Sequence, residues 1–220
     1  GLTPPSGGLA FPAGSIDDIP NLMRPVSEGG VLEKRGQVEV ISSLKLNGEI
    51  IPYDIRLGVW VVVDADTEYI RRCFAEYMVK TDTSGRYACN YKRYHHIGLE
   101  LGISVASIGL RKEPTGQPTG FCADVVAEAK KDLKDGEILD GEGGYTVWGR
   151  LMLAGDSMRL GAVPIGLAHG ATLKNFVKEG DVVTWRDLEL DLSLTESTAY
   201  KVRREMEVTK AAASGLSSVA

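Results

Sequence analysis

The sequence has little of what would settle its class at a glance. It contains only three cysteines in 220 residues, Cys73, Cys89 and Cys122, and no CxxC pair. That excludes a disulfide framework and predicts reduced, buried thiols with structural roles. No apolar run approaches the ~18 residues that a membrane span needs, and the first twenty residues lack the basic and apolar regions of a signal peptide. The expected location is the cytoplasm, with no membrane partner. There is no basic block either: 25 Lys and Arg stand against 30 Asp and Glu, a net charge of −5, and the signs alternate along the chain. This excludes nucleic acid as the main partner. No GxGxxG follows a strand pattern, and Gly141-Glu142-Gly143-Gly144 reads as a turn.

What is present supports a packed, soluble fold. The apolar share is 43%, ordinary for a globular protein. The opening Gly1-Leu2-Thr3-Pro4-Pro5-Ser6-Gly7-Gly8 has no initiator Met and only turn-forming residues. It carries the expectation that the chain is cut from a longer one or has lost a leading piece.

Two β-branched runs, 38–46 and 51–63, flank Asn47-Gly48 and predict a hairpin. The spacing of Ile70, Cys73, Phe74 and Tyr77 predicts a helix from Asp66 to Met78, with Asp66 as N-cap, Glu68 in the first turn, and Asp64, Asp66 and Glu68 explained as caps and dipole partners. A second helix is predicted over 96–110, with Ile97, Leu101, Val105 and Ile108 in one stripe. Gly98, Gly102 and Ala106 form another that would let a neighbouring backbone come close. Periodicity then stops at Glu113-Pro114-Thr115-Gly116-Gln117-Pro118-Thr119-Gly120, which reads as an interdomain linker.

Beyond that linker the chain repeats itself. Lys130 to Leu139 aligns without gaps to Lys174 to Val183, displaced by 44 residues, and each copy carries an acidic residue and glycine turn before a short strand. Two copies suit a compact β-rich domain with internal pseudo-symmetry. The last segment opens with Ser193-Leu194-Thr195-Glu196, a capping-box spacing that predicts a helix to about Lys210, then an Ala/Ser/Gly tail predicted to be disordered. That helix could pack on the body of the chain or on a second subunit.

The stretch from Ala129 to Asp140, with Gly143-Gly144-Tyr145-Thr146 after it and Pro164-Ile165-Gly166-Leu167-Ala168 before the second copy, resembles the SAF (β-clip) domain. Behind the segment Tyr91-Lys92-Arg93-Tyr94-His95-His96-Ile97-Gly98-Leu99-Glu100, the arrangement resembles the homoserine-dehydrogenase-like family of NAD(P)-dependent proteins, which includes the 1-deoxy-D-xylulose 5-phosphate reductoisomerase-like enzymes of isoprenoid precursor synthesis. The fold this resemblance implies is α+β: part of a catalytic and dimerisation α/β domain at 1–118, a SAF-like β domain at 119–192, and a helix and tail at 193–220. The implied function is the substrate-binding, C-terminal portion of an NAD(P)H-dependent oxidoreductase acting on a small phosphorylated sugar, as a homodimer. A dehydrogenase of another sugar acid or homoserine-like compound, and a non-catalytic SAF carbohydrate-binding or assembly module, are the alternatives. A full family member begins with a Rossmann domain. NADP would therefore be bound mainly by a part absent from these residues, this chain alone would be inactive, and a divalent metal enters by analogy of reaction only.

A sugar phosphate calls for fixed cations and for donors to a developing alkoxide. Arg93, Tyr94, His95 and His96 supply those types just before a predicted helix start. Arg93 would bind phosphate, Tyr94 would hydrogen-bond it or the substrate carbonyl, and His95 would position or protonate substrate. The bland alternative is a solvated helix start with Tyr94 as a core aromatic. Adjacent histidines point in different directions, which argues against a shared metal. Ser6 and Gly7 could bring backbone amides to a phosphate, or form only a flexible opening loop.

Overall fold

The computed structural model describes residues 2–95, 98–118 and 120–214; His96, Ile97 and the tail from residue 215 lie outside the described residues. Helices and two small antiparallel sheets make an α+β architecture. The chain divides into two compact units, Leu9–Thr119 and a β-rich unit of Gly1–Gly8 with Gly120–Ala220. Residues 1–8 thus group with the β-rich part and not with residues 9–118.

In Leu9–Thr119, a one-turn helix α1 (Ile19–Leu22), with Pro20 in its first turn, drives Ile19 and Met23 into a small core with Leu32, Ile41 and Ile55. The sheet beside it pairs β1 (Val59–Asp64) with β2 (Tyr87–Lys92), antiparallel, in the register Val59↔Lys92 to Asp64↔Tyr87. β1 alternates as period-2 strands do: Trp60 and Val62 pack on the core while Val59, Val61 and Val63 stay exposed.

The predicted hairpin survives only at its tip. Leu44 bridges Ile50, the Lys45 and Gly48 amides donate to Glu49 and Lys45 carbonyls at 2.9 Å, and Gly48 takes the positive φ of 82° that such a turn requires. The long second run is broken by Pro52 and by the left-handed backbones of Tyr53 and Leu57, so residues 59–64 start a fresh strand and pair with 87–92. Between them, α2 (Glu68–Glu76) is capped by Thr67, whose hydroxyl accepts from the Ile70 amide; Asp66 is not the cap. The other predicted helix starts late, as α3 (Leu101–Ala106), and continues into a π-helical turn, Ser107–Arg111. Its apolar residues Leu101, Ile103, Val105, Ile108 and Leu110 are exposed, and a Cβ added at Gly98 or Gly102 would meet nothing within 4 Å. Among the described residues no neighbour lies against Gly98 or Gly102.

The β-rich unit holds the larger core. β3 (Ala123–Ala129) and β4 (Val147–Leu153) run antiparallel, followed by α4 (Ala154–Leu160) and the one-turn α5 (Ile165–Ala168). Val126, Ala127, Leu133, Leu139, Val147, Val163, Leu173, Val183 and Leu188 are at most 1% exposed. The duplicated segments close this core by pairing with each other. Leu133 and Val177 exchange backbone bonds of 2.8 and 3.0 Å; Ala129 donates to Asp181 as Leu173 donates to Glu137, both at 2.9 Å; and Val183 donates to Ala127 as Leu139 donates to Ala171, again both at 2.9 Å. Every one of these bonds maps onto its counterpart under the 44-residue displacement.

The C-terminal segment starts two residues earlier than the expected capping box. Asp191 caps α6 (Leu192–Thr195) by accepting from the Leu194 amide at 2.9 Å and the Ser193 hydroxyl at 2.8 Å, which takes Ser193 out of the capping role. Glu196 instead pairs with Lys201. The long α7 (Thr198–Ser214) packs on the body of this unit: Tyr200 meets Trp185 edge-on at 5.4 Å, and Arg203 holds the buried Asp124 through two bonds of 3.1 and 2.6 Å.

The thiols are half-buried, not fully buried, and none is in a disulfide. Burial pushes the Cys89 thiol up to about 11, which keeps it protonated and inert near neutrality. No helix is long and apolar enough to cross a membrane among the described residues.

Candidate functional site

The β1–β2 ladder ends at Lys92, and the chain beyond it is still held to the sheet because the His95 amide donates to the Leu57 carbonyl at 2.8 Å. This fixes Arg93, Tyr94 and His95 at one end of the sheet. The Arg93 guanidinium lies over the Tyr94 ring, 5.4 Å from its centroid, a cation–π contact that couples the two side chains. Tyr94 is 57% exposed, so it is not a core aromatic.

Glu100, six residues before the end of α3, closes the group. One carboxylate oxygen lies 3.3 Å from His95 Nδ1 and the other pairs with Lys92 Nζ. The carboxylate therefore orients the half-exposed imidazole through Nδ1. Lys92 is thus matched to Glu100, while Arg93 lies over the Tyr94 ring. Lys92 and Glu100 received no role in the sequence reading, although both lie in the run from Tyr91 to Glu100 that was singled out. The missing signal was their pairing across a turn, which spacing does not reveal.

A second polar network sits at the other end of the same sheet. Asp64, read above as a helix-start residue, instead binds Arg86 at 2.5 and 2.9 Å and Arg35 at 2.6 Å. Arg35 also reaches Glu28 at 2.8 Å and the Tyr87 hydroxyl at 3.0 Å, and Tyr87 donates to Glu28 at 2.7 Å. Burial raises the pKa of the Tyr87 phenol, which keeps it a donor. Beside it the Asp82 side chain, fully shielded from solvent, pairs with Arg24 at 3.0 Å. These groups satisfy one another, and the network ties the β1–β2 sheet to residues 24–35.

Ser6 and Gly7 fall in the β-rich unit. Ser6 lines a cavity of about 370 Å³ there, with Pro5, Gly8, Arg150, Leu151, Met152, Leu153, Asp156, Arg159 and Leu160. Ser6 and Gly7 thus belong to one unit and Arg93, Tyr94 and His95 to the other.

The glycine-rich stretch 141–144 does not fit a dinucleotide. In the glycine-rich stretch 141–144, the carboxylate of Asp140 fills the loop, accepting from the amides of Tyr145 and Thr146 and from the Thr146 hydroxyl. The Thr146 hydroxyl and these amides hold the Asp140 carboxyl down to about 2. The donors that would cradle a pyrophosphate are already committed. Among the described residues no three His, Cys, Asp or Glu side chains converge to hold a metal ion.

Residues 1–101 match the model of a family described as oxidoreductase DRL, catalytic domain. The matched span includes Ser6, Gly7, Arg93, Tyr94, His95 and Glu100, and it ends before the β-rich residues from 120 onward. No curated protein matches the chain. The match supports an oxidoreductase-like domain over this span.

Proposed function

We propose that this chain contributes the substrate-binding portion of an NAD(P)H-dependent oxidoreductase of the 1-deoxy-D-xylulose 5-phosphate reductoisomerase-like type, acting on a small phosphorylated sugar. One observation carries the reading: Arg93, Tyr94 and His95, with Glu100 orienting the imidazole, gather at one end of the β1–β2 sheet, inside the segment that matches an oxidoreductase catalytic domain.

In this reading Arg93 holds the substrate phosphate, since a guanidinium matches phosphate oxygens in a planar, two-point contact. Tyr94, kept beside it by the cation–π contact, donates to the phosphate or to the substrate carbonyl. His95 positions the substrate or protonates it at the oxygen on which negative charge develops as the carbonyl is reduced. A bound nicotinamide would supply the hydride. The loop at 140–146, filled by the Asp140 carboxylate, is not the place for it. The same proposal assigns the β-rich unit to the SAF type, supported by its mutually paired duplicate segments. It also includes a homodimer, supported by the exposed apolar face of Val59, Val61 and Val63 on β1.

The test is NADPH oxidation by the enzyme that contains this chain, over a panel of phosphorylated and unphosphorylated sugars. Arg93→Ala should raise KM for the phosphorylated substrate by roughly a hundredfold with little change for its unphosphorylated analogue. His95→Ala should lower kcat by roughly a hundredfold. If both variants stay within about twofold of the parent in kcat and KM, the assignment is wrong.

A further inference from the structure

We propose that the cavity beside Ser6 in the β-rich unit binds a small ligand that carries an oxyanion on an apolar body. Its volume of about 370 Å³ falls in the range of small-molecule pockets. The lining divides by chemistry. Leu151, Met152, Leu153 and Leu160 offer an apolar wall, while Arg150 and Arg159 bring two guanidinium groups against one carboxylate, Asp156.

Each arginine is held in place without being used up. Arg150 gives Nη1 to Glu128 at 2.7 Å, and the Glu128 side chain, 10% exposed, also accepts from Trp148 Nε1 at 3.1 Å. Arg159 pairs with Asp156 one turn away on α4 and gives Nε to the Gly155 carbonyl at 3.4 Å. A guanidinium has five N–H donors, more than these bonds employ. The two side chains are 48% and 65% exposed, so both can still meet an anion that enters from solvent. Glu128 and Asp156 balance the two guanidinium charges, so an anion would be held by the N–H donors these pairs leave over, beside apolar surface that inorganic phosphate would leave uncovered. This site goes beyond the reading above, which seats the substrate phosphate at Arg93 in the other unit.

Phenyl phosphate is the probe, titrated calorimetrically into the full 220-residue chain, with inorganic phosphate and phenol as its two halves. Phenyl phosphate should bind about tenfold more tightly than inorganic phosphate, and phenol should give no saturable heat. Arg159→Ala should weaken phenyl phosphate about tenfold, and Asp156→Asn, which removes the opposing carboxylate, should tighten it about threefold. Circular dichroism checks the fold of each variant; Arg159→Gln replaces Arg159→Ala if that one unfolds. No saturable binding of phenyl phosphate overturns the proposal, as does an Arg159 variant within about twofold of the parent. A loss of binding on Arg93→Ala equal to that on Arg159→Ala also overturns it, and leaves the Arg93 reading standing.

Discussion

Leu133 and Val177 occupy the same position in two copies of one sequence segment, and each donates its backbone amide to the carbonyl of the other, at 2.8 and 3.0 Å. A residue that pairs with its own repeat equivalent sits on a local two-fold axis. The flanking bonds confirm this, since those on one side of the pair recur on the other with every residue displaced by 44. Each copy thereby completes the hydrogen bonding of the other, which explains why Leu133 is fully buried and Val177 is 5% exposed in one core.

The two turns of the repeat should respond alike. Gly136 and Gly180 have φ of 76° and 84°, and an added Cβ would meet nothing within 4 Å at either. Only backbone strain is at stake. Gly136→Ala and Gly180→Ala should each cost about 1–2 kcal/mol in urea denaturation, with similar values. Costs that differ by more than about 1 kcal/mol would show that the copies are not energetically equivalent.

Gly144 tests a different constraint. An added Cβ would lie 2.1 Å from Asp140 Cγ, and that carboxylate is locked by Thr146 and Tyr145. Gly144→Ala should destabilise by about 2 kcal/mol, and the loss should shrink when Asp140 is already alanine. A double-mutant cycle on thermal unfolding measures this directly.

Arg203 anchors α7. Removing it strands Asp124, whose carboxylate is 7% exposed and otherwise accepts from the Ser157 hydroxyl at 2.5 Å. Arg203→Ala should cost about 3 kcal/mol, and amide exchange should speed up along residues 198–212 before it does in β3. Unchanged protection in the helix would mean that the contacts of Tyr200 and Arg204 with Trp185 suffice to hold it.

Asp82 makes the Leu9–Thr119 unit sensitive to acid. Burial acts most strongly on its pKa and raises it, yet the Ser84 hydroxyl and the amides of Tyr87, Ser84 and Arg86 together outweigh burial, so the net shift is downward. A carboxylate with a lowered folded-state pKa contributes stability that is fully present above its unfolded value of ~3.9 and is lost as pH falls through the folded value. At pH 7, Asp82→Ala should cost about 3 kcal/mol, because Arg24 loses its partner and the amides lose their acceptor. Below pH ~4 the gap between parent and variant should narrow in denaturant titrations. A gap that stays constant down to pH ~2 would remove Asp82 as the acid-sensitive group.

Features that rest on a few adjacent residues were legible in the sequence. The Asn47-Gly48 turn, the 44-residue duplication, and the grouping of Arg93, Tyr94 and His95 all depend on local backbone preference or on neighbours in the chain. Helix limits were less legible. Thr67 and Asp191 won the capping roles expected for Asp66 and Ser193, because several short polar side chains compete there and geometry decides among them.

Partners across long separations lay beyond reach. An alternating run such as 59–64 announces a strand without naming the strand it pairs with, so residues 87–92 could take the place expected for residues 38–46. Asp64 could not be joined to Arg35 and Arg86, nor Ser6 to Arg150 and Arg159, until the backbone was closed. The sequence by itself determined the repeat, its turns and the adjacency of Arg93, Tyr94 and His95, since each follows from short-range φ preference or covalent proximity. Only the tertiary structure decided that the two copies pair about Leu133 and Val177, that α7 docks through Arg203, and that two arginines line one apolar cavity, because those depend on which buried surfaces fit and which buried charges find a partner.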